Sequence, residues 1–379
     1  MVIVSVLLSY VFNGFGCTSA IVGADASASG RPLLWKHRDT STTDNKIEYV
    51  PAGEDGGYSY VALFNANDKD LKEAWMGMNE MGFAVMNTAS YNIKDDKVPD
   101  KDMDKEGFLM TIALRTCRTV EDFENLLRTL PRPMGVEANF GAIDALGNGA
   151  YFETNNDSFV KYDVNDADGH VLIRTNYSHS GRKNEGYGYV REANAEKLLA
   201  DAIVSKSITP EFLTERVSRS FYHDVKGGDA LESSERWIVD EDFIPRYKST
   251  ATIVIEGIPP VKEIEYVTPR LIVPQYIMWT GLGYPPVAEI YPVWCHRKGV
   301  NEALRGIGPK GTSPAGNIAR KRRAEVFPPQ KGGNTKYIDK NVLVNEDSTG
   351  FLQVIPPHNY ETYRVISHKR DAGEITFEQ

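Results

Sequence analysis

The stretch Gly16-Cys17-Thr18-Ser19-Ala20-Ile21-Val22, followed by Gly30-Arg31-Pro32-Leu33-Leu34-Trp35-Lys36-His37-Arg38-Asp39, organises the reading of this 379-residue chain. Thr18 to Val22 is a short β-prone run and Ser27-Ala28-Ser29-Gly30 is turn chemistry. Pro32 to Trp35 then begins a second strand leading into Lys36-His37-Arg38-Asp39. Upstream the pattern differs. Val2 to Phe12 (VIVSVLLSYVF) is an almost unbroken apolar run, long enough for the core of an export signal and too short to span a bilayer. Gly14 and Gly16 supply the small residues that a signal peptidase needs just before its cut, which places Cys17 at the new N-terminus. Residues 1–16 therefore read as a removable signal peptide or pro-segment, and 17–379 as a single domain of an exported, periplasmic or extracellular protein. The basic residues that usually open such a signal are missing. Two other readings compete: a buried N-terminal strand, and a surface lipoprotein anchored at Cys17 without catalysis. Gly14 stands where a lipoprotein signal usually has leucine.

Composition narrows the class. A formal net charge of −9 argues against nucleic acid as a partner, because phosphate backbones are bound by surplus Lys and Arg. No stable membrane insertion is expected once the leader is removed. The three cysteines, Cys17, Cys117 and Cys295, are too few for a disulfide framework, and no CxxC pair points to zinc. If Cys17 is a nucleophile, Cys117 and Cys295 read as free and buried.

Further along, a hairpin is expected at Ala74 to Asn87, turning at Asn79-Glu80-Met81-Gly82, and another at Asn139 to Asn155, turning at Gly147-Asn148-Gly149. Between them, Gly107 to Cys117 is apolar at helical spacing, and Thr119 to Leu130 opens like a capping box and ends at Pro131. Helices are also expected at Val190 to Val204 and Thr209 to Ser220, and strands at Thr250 to Glu256 and Glu289 to Trp294. Trp75, Trp279 and Trp294 read as core residues. Strands in hairpins and helices in pairs imply an α+β layered protein rather than alternating βαβ units. The stretch 297–334 is rich in Gly, Pro, Lys and Arg, including Arg320-Lys321-Arg322-Arg323, and reads as a loop-rich basic segment with a solvated face.

For catalysis, the seven histidines show no HExxH or HxH spacing, no GxSxG elbow is present, and Cys17 lacks the context of a papain-type nucleophile. An N-terminal cysteine needs neither metal nor histidine. Its own α-amine, with a pKa of about 7.7–8.0 against about 8.5 for the thiol, serves as general base. That scheme also requires a carboxylate to orient the amine and donors for the oxyanion.

The opening block resembles the N-terminal-nucleophile hydrolases, in the branch holding penicillin V acylases, bile salt hydrolases and isopenicillin N acyltransferases. Gly77-Met78-Asn79-Glu80-Met81-Gly82 through Asn87, Asn139-Phe140-Gly141 through Glu153, Thr175-Asn176-Tyr177 and Gly283-Tyr284-Pro285-Pro286 extend the resemblance to about Trp294. It implies a four-layer αββα sandwich with two stacked antiparallel sheets and a secreted bacterial amidase that hydrolyses a linear, non-peptide amide without a cofactor. It implies roles as well: Cys17 as nucleophile, Asp39 as the carboxylate that accepts from its amine, and Asn87 in the oxyanion hole. Asn176 would hold the substrate amide, and Arg191 matches the arginine of an SxxR pattern in which Gly188 replaces the serine. Lys36 would contact substrate where bile salt hydrolases carry arginine, keeping the charge but not the planar fork. The partner is thus a small-molecule amide, with a homo-oligomer open. An acyltransferase, in which an amine rather than water resolves the thioester, is the alternative chemistry.

Overall fold

The computed structural model describes residues 16–54, 56–263, 275–329 and 334–377, so the leader, up to residue 15, lies outside them. The opening block forms an antiparallel hairpin, β1 (Thr18–Val22) with β2 (Leu33–Asp39), in which Ser19 faces Lys36. Next comes an antiparallel meander in chain order: β3 (Asn45–Val50), β4 (Tyr60–Asn65), β5 (Met76–Asn79), β6 (Ala84–Ala89), β7 (Ala138–Ile143), β8 (Gly149–Thr154) and β9 (Phe159–Asp163). The expected hairpins are β5–β6 and β7–β8, with Gly82 and Gly147 at φ 81° and 89° in their turns, a region that favours glycine.

β10 (Val171–Arg174) returns to pair with β1. Two small ribbons follow, β11 (Tyr222–His223) with β12 (Gly228–Asp229), and β13 (Trp237–Val239) with a later strand. Then β14 (Ser249–Glu256), β15 (Ile277–Leu282) and β16 (Tyr291–Val293) complete a six-stranded sheet of order β10-β1-β2-β14-β15-β16, and β17 (Tyr337–Asp339) closes the second ribbon.

Strand alternation explains the layering. Ile21, Leu34, Ile253 and Ile255 from the six-stranded sheet share one buried cluster with Val61, Leu63, Met76, Met86 and Tyr151 from the meander, so the two sheets are stacked face to face. The meander's other face buries Val85, Phe140 and Phe152 against α1 (Glu106–Thr116) and α2 (Val120–Thr129). Ala20, Leu33, Trp35 and Val254 face the other way, onto α3 (Tyr189–Val204), a helical segment around Leu213 and Val217, and Tyr363 of the C-terminal helix. The architecture is the four-layer αββα sandwich.

Thr119 caps α2: its side chain accepts from Asp122 N–H at 3.0 Å, while Asp122 accepts from Thr119 N–H at 3.2 Å. Thr119→Ala is expected to lower stability by about 1 kcal/mol, read from the urea midpoint at unchanged slope.

Several elements depart from the sequence expectations. The helix expected at Thr209 to Ser220 is wound as a π-helix over Phe212–Val217. Within 297–334, Pro314–Val326 forms α4, and its three arginines are engaged: Arg320 pairs with Asp44 and Arg322 with Glu289, while Arg323 donates to Tyr247 O at 3.0 Å. Those arginines are spent on internal contacts, and Lys321 of the same run is exposed. The longest helix, α5 (Phe351–Asp371), was not anticipated, because Pro356-Pro357 inside it reads as a breaker. Trp279 is buried core as expected, Trp75 and Trp294 are partly buried against core clusters, and Trp75 also lines the cavity described next.

Candidate active site

Cys17 immediately precedes β1 and has the side-chain parity of Ser19 and Ile21, of which Ile21 lies in the core between the sheets. Lys36 and Arg38 have the matching parity on β2, shared with Leu34. At this end of the stack the apolar filling gives way to a cavity of about 460 Å³, lined by Cys17, Lys36, Asp39, Trp75 and Asn87 among others. Its size suits a small molecule.

A continuous set of hydrogen bonds holds Cys17, which is 7% exposed. Its backbone N–H donates to Asn176 Oδ1 at 2.7 Å. Arg191, fully buried in the first turn of α3, donates from Nη1 to Cys17 O (2.5 Å) and Thr18 Oγ1 (3.1 Å), and from Nη2 to Asn176 Oδ1 (2.9 Å). Asn176 Nδ2 in turn donates to Ala89 O at 2.8 Å, which fixes the amide with its oxygen toward Cys17. Gly188 caps α3 at φ 95°, and a Cβ there would fall 2.5 Å from Arg191 Nη2. Glycine at the position of the expected serine is what lets Arg191 reach the strand.

Asp39 is 1% exposed and its carboxylate is occupied. Arg246 donates to Oδ2 from Nε (3.0 Å) and Nη2 (2.6 Å), and Ser249 Oγ donates to Oδ1 (2.6 Å). Arg246 Nη2 also lies 3.5 Å from Gly16 O, and a Cβ on Gly16 would sit 1.9 Å from that nitrogen. With Gly16 still attached, Asn176 rather than Asp39 receives the Cys17 N–H. His37, buried beside Asp39, is driven down to about 4 by burial and is neutral at neutral pH.

Lys36 Nζ donates to Asn87 Oδ1 (2.8 Å) and Trp75 O (2.7 Å). Because Asn87 spends its oxygen on Lys36, its Nδ2 is the group left to donate. Burial lowers the Lys36 ammonium to about 7, with the Cys17 thiolate opposing that shift and Arg38 adding to it. Cys117 and Cys295 are free and buried, with thiols pushed up to about 12 by burial, so neither is a ready nucleophile.

The structure thus gathers Cys17, Lys36, Asp39, Asn87, Asn176 and Arg191 at one end of the stacked sheets. Arg246, Ser249 and Trp75 were missed as site residues. Arg246 reaches Asp39 across 207 positions of chain, and no local motif marks it. Among the described residues one acidic trio, Asp95, Asp96 and Asp157, has metal-ligand spacing, and it is separate from Cys17. No described helix is long and apolar enough to cross a membrane.

Residues 36–218 match the family model of acyl-coenzyme A:6-aminopenicillanic acid acyl-transferase, a span somewhat under half of the chain that begins after Cys17 and includes the other five residues named above. No curated protein sequence matches the chain. Among solved structures, a variant of the conjugated bile acid hydrolase from Clostridium perfringens is 12% identical, covering 73% of this chain and 92% of its own, with a TM-score of 0.41. The Caenorhabditis elegans ortholog of N-acylethanolamine-hydrolyzing acid amidase is 11% identical, covering 66% and 96%, at 0.38. Penicillin V acylase from Agrobacterium tumefaciens is 11% identical, covering 73% and 86%, at 0.35. The family match falls on the hairpins, strands and helix that frame the cavity, within an αββα stack.

Proposed function

We propose that this protein is an exported amidohydrolase that cleaves a linear carbon–nitrogen amide through Cys17, once the residues before it are removed. The observation that carries the reading is the placement of Cys17 in a cavity of about 460 Å³, with its backbone nitrogen 2.7 Å from Asn176 Oδ1 and with Lys36, Asp39 and Asn87 in the same wall. Cys17 Sγ attacks the substrate carbonyl after giving its proton to the α-amine. Asn87 Nδ2 stabilises the tetrahedral oxyanion, a contribution worth about 10²–10³ in rate for one such donor. The amine then passes the proton to the leaving nitrogen, the C–N bond breaks, and a thioester remains. Water, deprotonated by the same amine, attacks the thioester and restores the thiol.

The matched family description supports a second reading, in which an acceptor amine replaces that water. One experiment addresses both: the mature N-terminus is mapped by mass, and acyl products are partitioned between water and added amine. A free Cys17 amine with release of free acid supports hydrolysis. A diacylglyceryl mass on Cys17 overturns the enzyme, and predominant transfer to the amine overturns the hydrolase.

Lys36 adds a pH signature. Below about pH 7 Lys36 is charged in the cavity that Cys17 lines, and above it that charge is lost. Lys36→Arg stays charged throughout. Its Cys17 alkylation by iodoacetamide is expected to outpace wild type by about three- to tenfold at about pH 8 and to match it at about pH 6. A variant-to-wild-type ratio that does not change with pH overturns this role.

A further inference from the structure

We propose that the molecule processed at Cys17 carries a cationic group, an ammonium or guanidinium, seated against a carboxylate wall of the same cavity; this rests on the reading of Cys17 as nucleophile. Five acids line that cavity besides Asp39: Glu73, Asp100, Asp104, Glu106 and Glu137. They come from the segment before β5, from the chain running into α1, and from the residue before β7, not from the hairpin that bears Cys17. No ion pair joins any of the five to a Lys, Arg or His among the described residues.

The cations of the cavity bind other groups than these five acids. Lys94 pairs with Asp96 at 3.3 Å, Lys36 is bound to Asn87, and Arg38 donates to Asn65 at 2.9 Å while lying over the Trp75 ring. Glu106 is the sharpest case. It is 7% exposed, and Oε1 accepts from Glu137 N–H at 2.9 Å, yet no cation answers its charge. Burial drives its carboxyl up to about 7, and Asp104 and Glu137 push in the same direction. Buried acids are normally paired, and a bound cation supplies the missing partner here.

The arrangement favours an organic cation over a metal ion. Among the described residues the trio of acids whose ligand atoms lie within 4.8 Å of one another is Asp95, Asp96 and Asp157, none of which is in the wall. No three of the wall's carboxylates come together in that way among the described residues, and Trp75 and Met103 are in the same lining to receive a carbon chain. Lys36 and Arg38, on β2 beside Cys17, mark the end where the carbonyl reacts; the acids mark where the positive group rests.

The test uses the mature protein and three methanethiosulfonates of similar size, bearing an ammonium, a neutral or a sulfonate end. Cys17 modification is followed by mass at low and high salt. A matched set of amides with terminal ammonium, hydroxyl or carboxylate is assayed in parallel. The ammonium member is expected to lead the neutral one by about tenfold or more at low salt in both assays, with the anion slowest, and the lead should shrink at high salt. Glu73→Gln with Asp104→Asn should bring the cation-to-neutral ratio toward one; asparagine tolerates the φ of 62° at position 104. Equal rates for all three charges, or a leading anion, overturn the proposal. Charge-selective labelling without hydrolysis of any amide keeps the carboxylate wall and overturns the amidase reading instead.

Discussion

Cys17→Ala is expected to lose amide turnover down to background, a drop on the order of 10⁴–10⁶-fold, and Cys17→Ser to keep a trace at most. The size follows from the scheme: the thiol forms the bond to the acyl group, and no second nucleophile stands ready, because Cys117 and Cys295 are buried with thiols pushed up to about 12. Asn176 and Arg191 hold the backbone of residue 17 rather than its side chain, so the alanine variant should fold normally. The N-terminal mass of the variant separates two routes to maturation. An uncut alanine variant indicates that the thiol opens its own Gly16 peptide bond, and a cut one assigns the step to a peptidase. Substantial hydrolysis by the alanine variant would sink the mechanism.

Arg246→Met is expected to destabilise the protein by about 3–5 kcal/mol, toward the lower figure because the Arg246 side chain is 20% exposed. The argument is the fate of Asp39. At 1% exposure it relies on two Arg246 hydrogen bonds and one from Ser249, with His37 neutral nearby. Removing the guanidinium strands a buried charge on a single hydroxyl. Adding Asp39→Asn in the same background should recover part of the loss, since the neutral amide no longer needs a counter-ion. Urea unfolding of the four-member cycle measures the coupling. A loss under about 1 kcal/mol, or no coupling with Asp39, means that the pair is dispensable to the fold.

How far the site was legible depends on chain distance. Cys17 and Asp39 stand out because the end of an apolar run and a strand end are local features, and a 22-residue interval folds into one hairpin. Asn176 and Arg191 came only from resemblance, although they make the tightest contacts with Cys17. Arg191 needed the glycine at 188, and the reason for that glycine, close approach to Arg191 and Thr175, exists only in the folded chain. Arg246 carried no signal at all. β3 and β4 went unmarked, although Tyr60–Asn65 (YVALFN) is apolar enough to suggest a buried strand. α5 was hidden by two prolines whose lost hydrogen bonds are outweighed by packing of Ile355 and Tyr363.

What the sequence determined by itself is local: the strand–turn–strand opening, the period-2 alternation that assigns side chains to sheet faces, the capped α2, and a cysteine placed just after an apolar run. These follow from steric and hydrogen-bonding preferences within a few residues. Tertiary structure decided the rest. It chose Asn176 over Asp39 as the partner of the uncut Cys17 N–H, gave Asp39 to Arg246, and set Trp75 both against the core and in the cavity wall. It also gathered five acids, none in an ion pair among the described residues, in the cavity that Cys17 lines. Such choices depend on which charges and volumes meet after sheets from distant segments have stacked, and no window of sequence contains both partners.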